Sequence, residues 1–148
     1  MIKVDNKKFE RDLKKFSRKN EREFSHRLNQ STLAMTKMAK SKAPTNEGKL
    51  RQGIRSEVER KGLTGATISE EDYSQGVEEG TKPHWPNMKS IKRWVELKLS
   101  VPRKDSANVA FLVSRKISRK GTDPQPFLMP AWQKASKDFM KGLRRVFK

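Results

Sequence analysis

Residues 119–132, RKGTDPQPFLMPAW, crowd three prolines, a Phe, a Leu, a Met and a Trp into a chain that is otherwise strongly polar. The run is too short and too often interrupted by proline to cross a membrane. Pro124 and Pro126 restrict the backbone, so the segment loses little conformational entropy when it docks. We therefore predict an anchor in which Phe127 enters the core or an adjacent subunit, and Pro130 starts a final helix.

The rest of the chain is basic and poor in apolar residues. Its 148 residues include 35 Lys and Arg against 17 Asp and Glu, giving a net charge of +18, and 32% are hydrophobic. The length predicts a single domain over residues 1–148. Its core would be small, and burial by a partner or by sister subunits would help to stabilise it. The charge fits either a solvated, self-repelling surface or a place near nucleic acid.

The sequence lacks the residues needed for cysteine chemistry and for insertion into a membrane. It contains no cysteine, which removes disulfides, cysteine–zinc sites and thiol catalysis. The opening residues, MIKVDNKKFERDL, have no apolar signal-peptide core, and no window approaches the length of a membrane span. We therefore expect a soluble protein that is made in a cytoplasm and has no membrane partner.

Apolar periodicity predicts one long N-terminal helix over about residues 9–42. Large apolar residues recur at steps of three, four or multiples of these, at Phe9, Leu13, Phe16, Phe24, Leu28, Met35 and Met38. No Gly or Pro interrupts the run before Pro44. Thirty-odd residues would extend roughly 50 Å, more than a domain of this size can cover. We expect the second half to pack on the core, and the basic residues 1–20 to project.

The remaining elements define an α+β fold. Loose alternation around Ile54, Val58 and Ile68 predicts a small antiparallel sheet between about Ile54 and Thr81. Residues 88–120 predict two inserted helices, with Asn87 capping the first, Asp105 or Ser106 starting the second and Gly121 ending it. The second would bury Val109, Leu112, Val113 and Ile117. The final helix, from Pro130 to Phe147, would bury Trp132, Ala135, Phe139, Leu143 and Phe147.

Residues 70–79 form an acidic segment in this basic chain. Its carboxylates have no basic residue between them and belong to Glu70, Glu71, Asp72, Glu78 and Glu79. One interpretation is a solvated acidic loop. The other is a surface that meets the basic face of a neighbour through complementary charge. Arg144 and Arg145, at the end of the final helix, are candidates for that basic face.

Patterns that indicate catalysis are nearly absent. His26 and His84, the two histidines, have no metal-ligand partner at helical spacing. Glu57, Glu59 and Lys61 alternate as in half of a magnesium-nuclease site, but no Asp on a preceding strand completes it. The helix pair at 88–120 also permits a helix-turn-helix, although nothing marks it as sequence-specific. We predict no enzymatic activity, no cofactor and no metal.

Three short stretches, in this order, resemble one protein family. KAPTNEGKLRQGI at 42–54 resembles the Ala-Pro-x-x-x-Gly-x-Leu-x-x-x-Ile segment of the gene-ten-product-like neck, head–tail joining or minor tail component proteins of tailed bacteriophages. DYSQGVEEGTKPH at 72–84 resembles the family's Tyr-x-x-x-Val-Glu-x-Gly-Thr. KISRKGTDPQPFLMPAW at 116–132 resembles its Gly-Thr-x-Pro-x-Pro-Phe-x-x-Pro-Ala. The helical insertion is similar to the version that many members carry.

The resemblance implies structural roles and no catalytic set. It places Pro44, Gly48 and Leu50 at a corner between helix and sheet. A central strand and its turn would contain Tyr73, Val77, Glu78, Gly80 and Thr81. The C-terminal anchor would contain Gly121, Thr122, Pro124, Pro126, Phe127, Pro130 and Ala131. The sequence departs from the pattern at Asn46-Glu47, where the family has Asp-Thr, and at Glu79, which is often apolar.

The function implied by the resemblance is assembly. Copies would form a ring in the neck that joins the capsid to the tail, beside the portal adaptor, head closure and tail terminator proteins. The protein would act in head–tail joining or tail completion, lie in the virion and assemble in the host cytoplasm. Interface candidates are Glu70, Glu71, Glu79, Arg144 and Arg145, and the surplus basic charge would lie near the DNA path or against an acidic partner in the neck. The alternative is a basic DNA-binding protein without enzymatic activity, and a third interpretation is the metal nuclease.

Overall fold

A computed structural model describes residues 6–45, 47–59 and 64–146. The helices are α1 (Asn6–Lys42), α2 (Lys49–Gly53), α3 (Ser74–Glu79), α4 (Met88–Lys98), α5 (Arg103–Lys120) and α6 (Leu128–Val146), and the strands are β1 (Ile54–Val58) and β2 (Gly65–Ser69). A long first helix, a small antiparallel sheet, two inserted helices and a final helix confirm the predicted α+β class.

Helix α1 changes from exposed to buried along its length. Every side chain that the structure describes between residues 10 and 19 is exposed, including Phe16 of the predicted apolar face. Further along, Thr32, Thr36 and Ala39 are buried. The side chains of Phe9 and Leu13 lie outside the described part. The helix ends at Lys42, in keeping with the steric bias that Pro44 imposes on the residue before it.

The sheet is shorter than the sequence predicts. Strand β1 pairs antiparallel with β2 in a register that runs from Ile54 opposite Ser69 to Val58 opposite Gly65. The predicted continuation to Thr81 is wrong, because residues 74–79 form α3. A strand needs a partner for its backbone groups. Within the described residues beyond β2, the only such pairing is an isolated bridge between Thr81 and Thr122.

The core lies where α1, α6 and the start of β1 meet. Small side chains let the two long helices approach closely, and Ala39, Ala43, Ala131 and Ala135 are all buried there. Leu50, Ile54 and Phe127 fill the space beside them. Outside this cluster, Phe24 and Phe139 meet edge to face with ring centroids 5.6 Å apart. A hydrogen bond of 2.8 Å between the Thr36 and Thr67 hydroxyls joins α1 to β2.

The buried face of α6 is only partly the predicted one. Ala135 is buried as predicted, but Trp132 is 54% exposed and its neighbour Ala131 is buried instead. One residue corresponds to about 100° around a helix, so the face that brings Ala131 against α1 turns Trp132 toward solvent. Phe139 does pack inward, Leu143 is half-buried, and Phe147 lies outside the described residues. The helix begins at Leu128, which places Pro130 within its first turn.

Helices α4 and α5 pack on each other through small residues. The Asn87 side-chain oxygen accepts hydrogen bonds from the backbone N–H groups of Lys89 and Ser90, which confirms the predicted cap. Helix α5 ends at Gly121 as predicted, but it begins at Arg103, before the predicted Asp105 or Ser106. Helix–helix contact buries Ser106, Ala110, Ser114 and, on α4, Val95.

The predicted apolar stripe of α5 is therefore only partly correct. Val109, Val113 and Ile117 flank the contact and are half-buried, while Leu112 is 61% exposed. The Ser106 hydroxyl lies 2.9 Å from a Glu96 carboxylate oxygen and 2.8 Å from the Arg103 carbonyl oxygen. Close approach of the two helices favours these small residues over the larger ones beside them.

None of the helices in the described ranges has the length and apolar character needed to cross a membrane.

Candidate functional site

The anchor residue Phe127 lies in the core of its own chain. Its side chain is 0% exposed and belongs to the cluster that includes Leu50, Ile54 and Ala131. Pro124 and Pro126 are exposed on the approach to it. The sequence left open whether Phe127 enters the core or an adjacent subunit, and the structure places its aromatic ring in the core of its own chain.

The carboxylate of Glu78 holds the first turn of α6. One of its oxygens accepts hydrogen bonds from the backbone N–H groups of Phe127 at 2.7 Å and Leu128 at 2.8 Å, and the other accepts one from Met129 at 2.8 Å. A helix start presents unsatisfied N–H groups and the positive end of its dipole, so a carboxylate is well matched to it. The predicted strand position of Glu78 is wrong, and its charge is used within the chain.

Thr81 and Thr122 form a clamp at the two ends of the insertion. Each donates its backbone N–H to the other's carbonyl oxygen at 3.1 Å, and their hydroxyl oxygens lie 2.9 Å apart. The glycines that precede them, Gly80 with φ 75° and Gly121 with φ 74°, have left-handed backbones. A Cβ on Gly121 would lie 1.8 Å from the Thr81 carbonyl oxygen. The second and third family-like stretches therefore meet at a point that only glycine permits.

The first family-like stretch forms the corner between α1 and β1. Pro44 follows α1, Gly48 precedes α2 with φ 81°, and Leu50 is buried in the core. Glu47 forms ion pairs with Lys49 at 3.6 Å and with Arg93 of α4. Asn46, the other departure from the family pattern, lies outside the described residues. The corner thus contributes both to the core and to the attachment of the insertion.

Half of the acidic segment, residues 70–79, is exposed, including Glu70, Asp72 and Glu79, whereas Glu71, Glu78 and three further residues are half-buried. Glu70 forms an ion pair with Arg55 at 2.6 Å, and Glu79 accepts a hydrogen bond from Gln75 at 3.2 Å. The Tyr73 side chain is 49% exposed. Partial burial, followed by the charge and hydrogen bond of Glu71, raises the pKa of the Tyr73 phenol above its ordinary value of 10.0, so it stays protonated at neutral pH.

The acidic segment and the basic end of α6 lie far apart. Glu78 binds the first turn of α6, whereas Arg144 and Arg145 are exposed in its last turn. At about 1.5 Å per residue, the sixteen or so residues between them separate the two ends by roughly 25 Å. One subunit therefore does not pair these two surfaces with each other.

Sequence reasoning missed a set of large apolar side chains that the fold leaves exposed. Those on or beside the insertion are Trp85, Leu97, Leu99, Phe111 and Leu112, and those on α6 are Met129, Trp132 and Met140. The sequence signal that could have identified them is the spacing of the small residues on the same helices. Alanine and serine at helical spacing mark the close contacts, so the larger residues between them had to face elsewhere.

The nuclease interpretation gains no support from the described geometry. Glu57 is exposed and forms an ion pair with Arg55, and its strand partner is Ala66. Lys61 lies outside the described residues. No group of three or more His, Asp or Glu side chains in the described ranges is arranged to hold a metal ion. His26 contacts Gln30 at 2.9 Å, and His84 contacts the Lys82 carbonyl oxygen at 2.9 Å.

A family comparison identifies the class of protein to which this fold belongs. Residues 7–80 match the family described as "Bacteriophage HK97-gp10, putative tail-component". The match covers half of the chain, from α1 to Gly80, so the chain belongs to the HK97-gp10-like family of phage tail components, as its sequence resemblance predicted. Neither the curated proteins nor the solved structures that were compared give a match.

Proposed function

We propose that the protein is a non-enzymatic structural subunit of the head–tail connector, or neck, of a tailed phage. It acts in head–tail joining or tail completion by assembling into a ring. Family membership supports a place in the virion, and the neck position rests on the three family-like stretches. The observation that carries the ring is the separation of exposed acidic and basic surfaces on one subunit.

Head-to-tail rings need two different complementary patches on each subunit. The acidic segment supplies one of them, with Glu70, Glu71 and Glu79 as the charged residues. Two exposed surfaces are candidates for the basic patch. One is the end of α6 at Arg144 and Arg145, and the other is the insertion. Because a subunit's acidic segment lies roughly 25 Å from its own α6 end, that basic surface remains available to a neighbour.

The small core also supports assembly. Six of the nine buried hydrophobic residues in the described ranges are alanine or valine, and Phe127 is the largest fully buried side chain there. Several large apolar residues are exposed instead. Exposed apolar patches with polar rims are typical of protein interaction sites. The partners that the resemblance implies are sister copies and the portal adaptor, head closure and tail terminator proteins, with assembly in the host cytoplasm.

The test is the oligomeric state of a charge-reversed variant. Glu70→Lys, Glu71→Lys and Glu79→Lys together should abolish the rings that the wild-type protein forms, as measured by light scattering and negative-stain electron microscopy. Glu78 is left unchanged because it caps α6. The control, with Glu10→Lys, Asp12→Lys and Glu21→Lys, makes the same change in charge on exposed positions of α1 and should assemble normally.

Particles made without the protein provide the second readout. We expect DNA-filled heads and tails that remain separate, and supplying the protein in trans should restore joining. Complete, infectious particles without it, or rings of the charge-reversed variant indistinguishable from wild type, would contradict the proposal.

A second candidate function, non-specific contact with DNA, is favoured by the first half of α1. Lys15, Arg18, Lys19 and Arg22 are all exposed there. Phosphate contacts of this kind give binding that weakens steeply with salt, with a slope of about −0.9 per contact in a logarithmic plot. Lys15→Gln, Arg18→Gln and Arg22→Gln together should reduce that slope by about 2 to 3 units in fluorescence anisotropy. The same number of substitutions at Lys134, Lys137 and Lys141 serves as the control, and an unchanged slope would exclude α1 as the contact.

A further inference from the structure

Residues 82–121 form an arm that stands apart from the rest of the subunit. Within the described residues, the only extensive packing of α4 and α5 is with each other. The arm is attached through the clamp between Thr81 and Thr122, and the ion pair between Arg93 and Glu47 braces it. Such a narrow attachment leaves most of the arm's surface available to another molecule.

The arm exposes an aromatic and aliphatic patch. Trp85 is 54% exposed and Phe111 49% exposed, and their rings meet edge to face with centroids 6.0 Å apart. Leu112, on the next position of α5, is also exposed. Trp and Phe are both enriched at protein interfaces, and Trp is enriched among the residues that contribute most of the binding energy.

Basic residues border this patch. Arg115 and Lys116 are exposed one helical turn beyond Phe111 and Leu112, so their side chains lie beside the patch. The acidic residues of α4 and α5 are Glu96 and Asp105, and Glu96 lies in hydrogen-bond contact with Ser106. A matching partner must therefore offer an apolar centre with an acidic border.

The acidic segment of this chain has that chemistry. Tyr73 exposes about half of its side chain, and Asp72 and Glu79 are exposed carboxylates of the same segment. A patch on α6 would be a poorer match, because Lys134, Lys137 and Lys141 give that helix the same sign of charge as the arm. Like charges brought together at an interface oppose binding.

We propose that the arm of one subunit docks on residues 70–79 of a second copy, with Phe111 and Leu112 against Tyr73, and Arg115 and Lys116 against Asp72 and Glu79. This contact rests on the proposed function and deepens it, because it assigns the basic side of the subunit contact to the arm. The end of α6 is then left free for another partner.

The first test reverses charge on each side. Arg115→Glu with Lys116→Glu should raise the apparent Kd of self-association about tenfold or more, and Asp72→Lys with Glu79→Lys should do the same. Mixing the two variants should restore oligomers, because each then meets a neighbour of opposite charge. Lys14→Glu with Lys15→Glu is the control, because it makes the same change in net charge away from the proposed contact, and it should not raise the apparent Kd. Self-association unchanged in both variants, or a mixture that stays dissociated, would overturn the proposal.

The second test uses the absence of cysteine from the chain. In a double variant, Leu112→Cys and Asp72→Cys, mild oxidation should produce a disulfide-linked ladder of dimers, trimers and larger species on non-reducing gels. A mixture of the two single variants should stop at dimers. A disulfide within one chain, seen as a faster-migrating monomer, or no cross-link at all, would overturn arm docking whether or not the wild-type protein assembles.

The two proposals fail in different ways. If the double variant stops at dimers, the arm docks reciprocally and the ring is contradicted while the arm contact stands. If electron micrographs show rings but the double variant does not cross-link, the ring stands and the arm contact is wrong.

Discussion

At the scale of single residues, the carboxylate of Glu78 joins α3 to the first turn of α6, 49 to 51 residues further along the chain. It satisfies three N–H groups that the helix itself leaves unpaired. Its negative charge also faces the positive end of the helix dipole. Glu78 thereby fixes the place where Phe127 enters the core.

Removing this cap should destabilise the fold. Glu78→Ala should lower the free energy of unfolding by about 1.5–3 kcal/mol, the range for hydrogen bonds to a charged group. Glu78→Gln keeps one acceptor and should cost about 1 kcal/mol. Urea unfolding followed by circular dichroism measures both. Glu79→Ala, the same change one residue away on an exposed side chain, should stay within about 0.5 kcal/mol, and equal losses at the two positions would exclude the capping role.

Phe127 should be the most costly residue of the anchor to truncate. Phe127→Ala removes a fully buried aromatic ring and should cost about 3–5 kcal/mol. Trp132→Ala removes an even larger side chain from an exposed position of the same helix, and its cost should stay near 0.5 kcal/mol. Thermal unfolding of the two variants provides the comparison. A loss below about 1 kcal/mol for Phe127→Ala would refute the anchor.

Some residue roles could be predicted from the sequence and others could not. The prolines around Phe127 indicated an anchored segment, and Phe127 is buried. The partner of Glu78 could not be found, because its contacts are made across a long stretch of chain and depend on how α3 meets α6. Trp132 was misplaced for a different reason. Hydrophobic periodicity favours the largest apolar residues, whereas the close approach of α1 and α6 selects alanine.

At the scale of elements, the arm has the features of a separate unit of unfolding. It packs mainly on itself, and its first helix depends on the Asn87 cap. Regions with few contacts to the rest of a protein open independently of the global unfolding reaction. Amide exchange in α4 and α5 should therefore be faster than in the core-facing part of α1.

Loss of the Asn87 cap should act on the arm alone. Asn87→Ala should weaken α4 by about 1 kcal/mol, which accelerates amide exchange in the arm about fivefold and leaves α6 unchanged. Hydrogen exchange detected by mass spectrometry measures this. Asn108→Ala is the matched control, since it makes the same substitution at an exposed position inside α5. Faster exchange throughout the molecule would mean that the arm does not unfold separately.

Helix ends were easier to predict than the sheet. Pro44, Asn87 and Gly121 mark boundaries through local chemistry that holds in any fold. Residues 74–79 lack such a marker. Their conformation depends on whether a strand partner is available, which is a property of the whole fold.

At the scale of the whole molecule, the net charge of +18 opposes the proposed assembly. Repulsion between distant charges is screened over about 8–10 Å at moderate salt, while contacts at an interface are screened less. Lys14→Gln, Lys15→Gln and Arg18→Gln together should therefore speed self-association at about 0.05 M salt, and the difference from wild type should nearly vanish at about 0.5 M. Stopped-flow light scattering gives both rates. A difference that persists at high salt would indicate a direct contact by these residues.

The clamp between Thr81 and Thr122 has a consequence for how this chain tolerates changes in the arm. Reciprocal backbone hydrogen bonds of this kind place the two Cα atoms about 5.5 Å apart, a gap that a tight turn can span. Residues 82–121 can then be shortened, lengthened or exchanged while the α1–α6 scaffold keeps its geometry. An arm that docks as proposed can therefore be replaced in one evolutionary step without altering the α1–α6 scaffold.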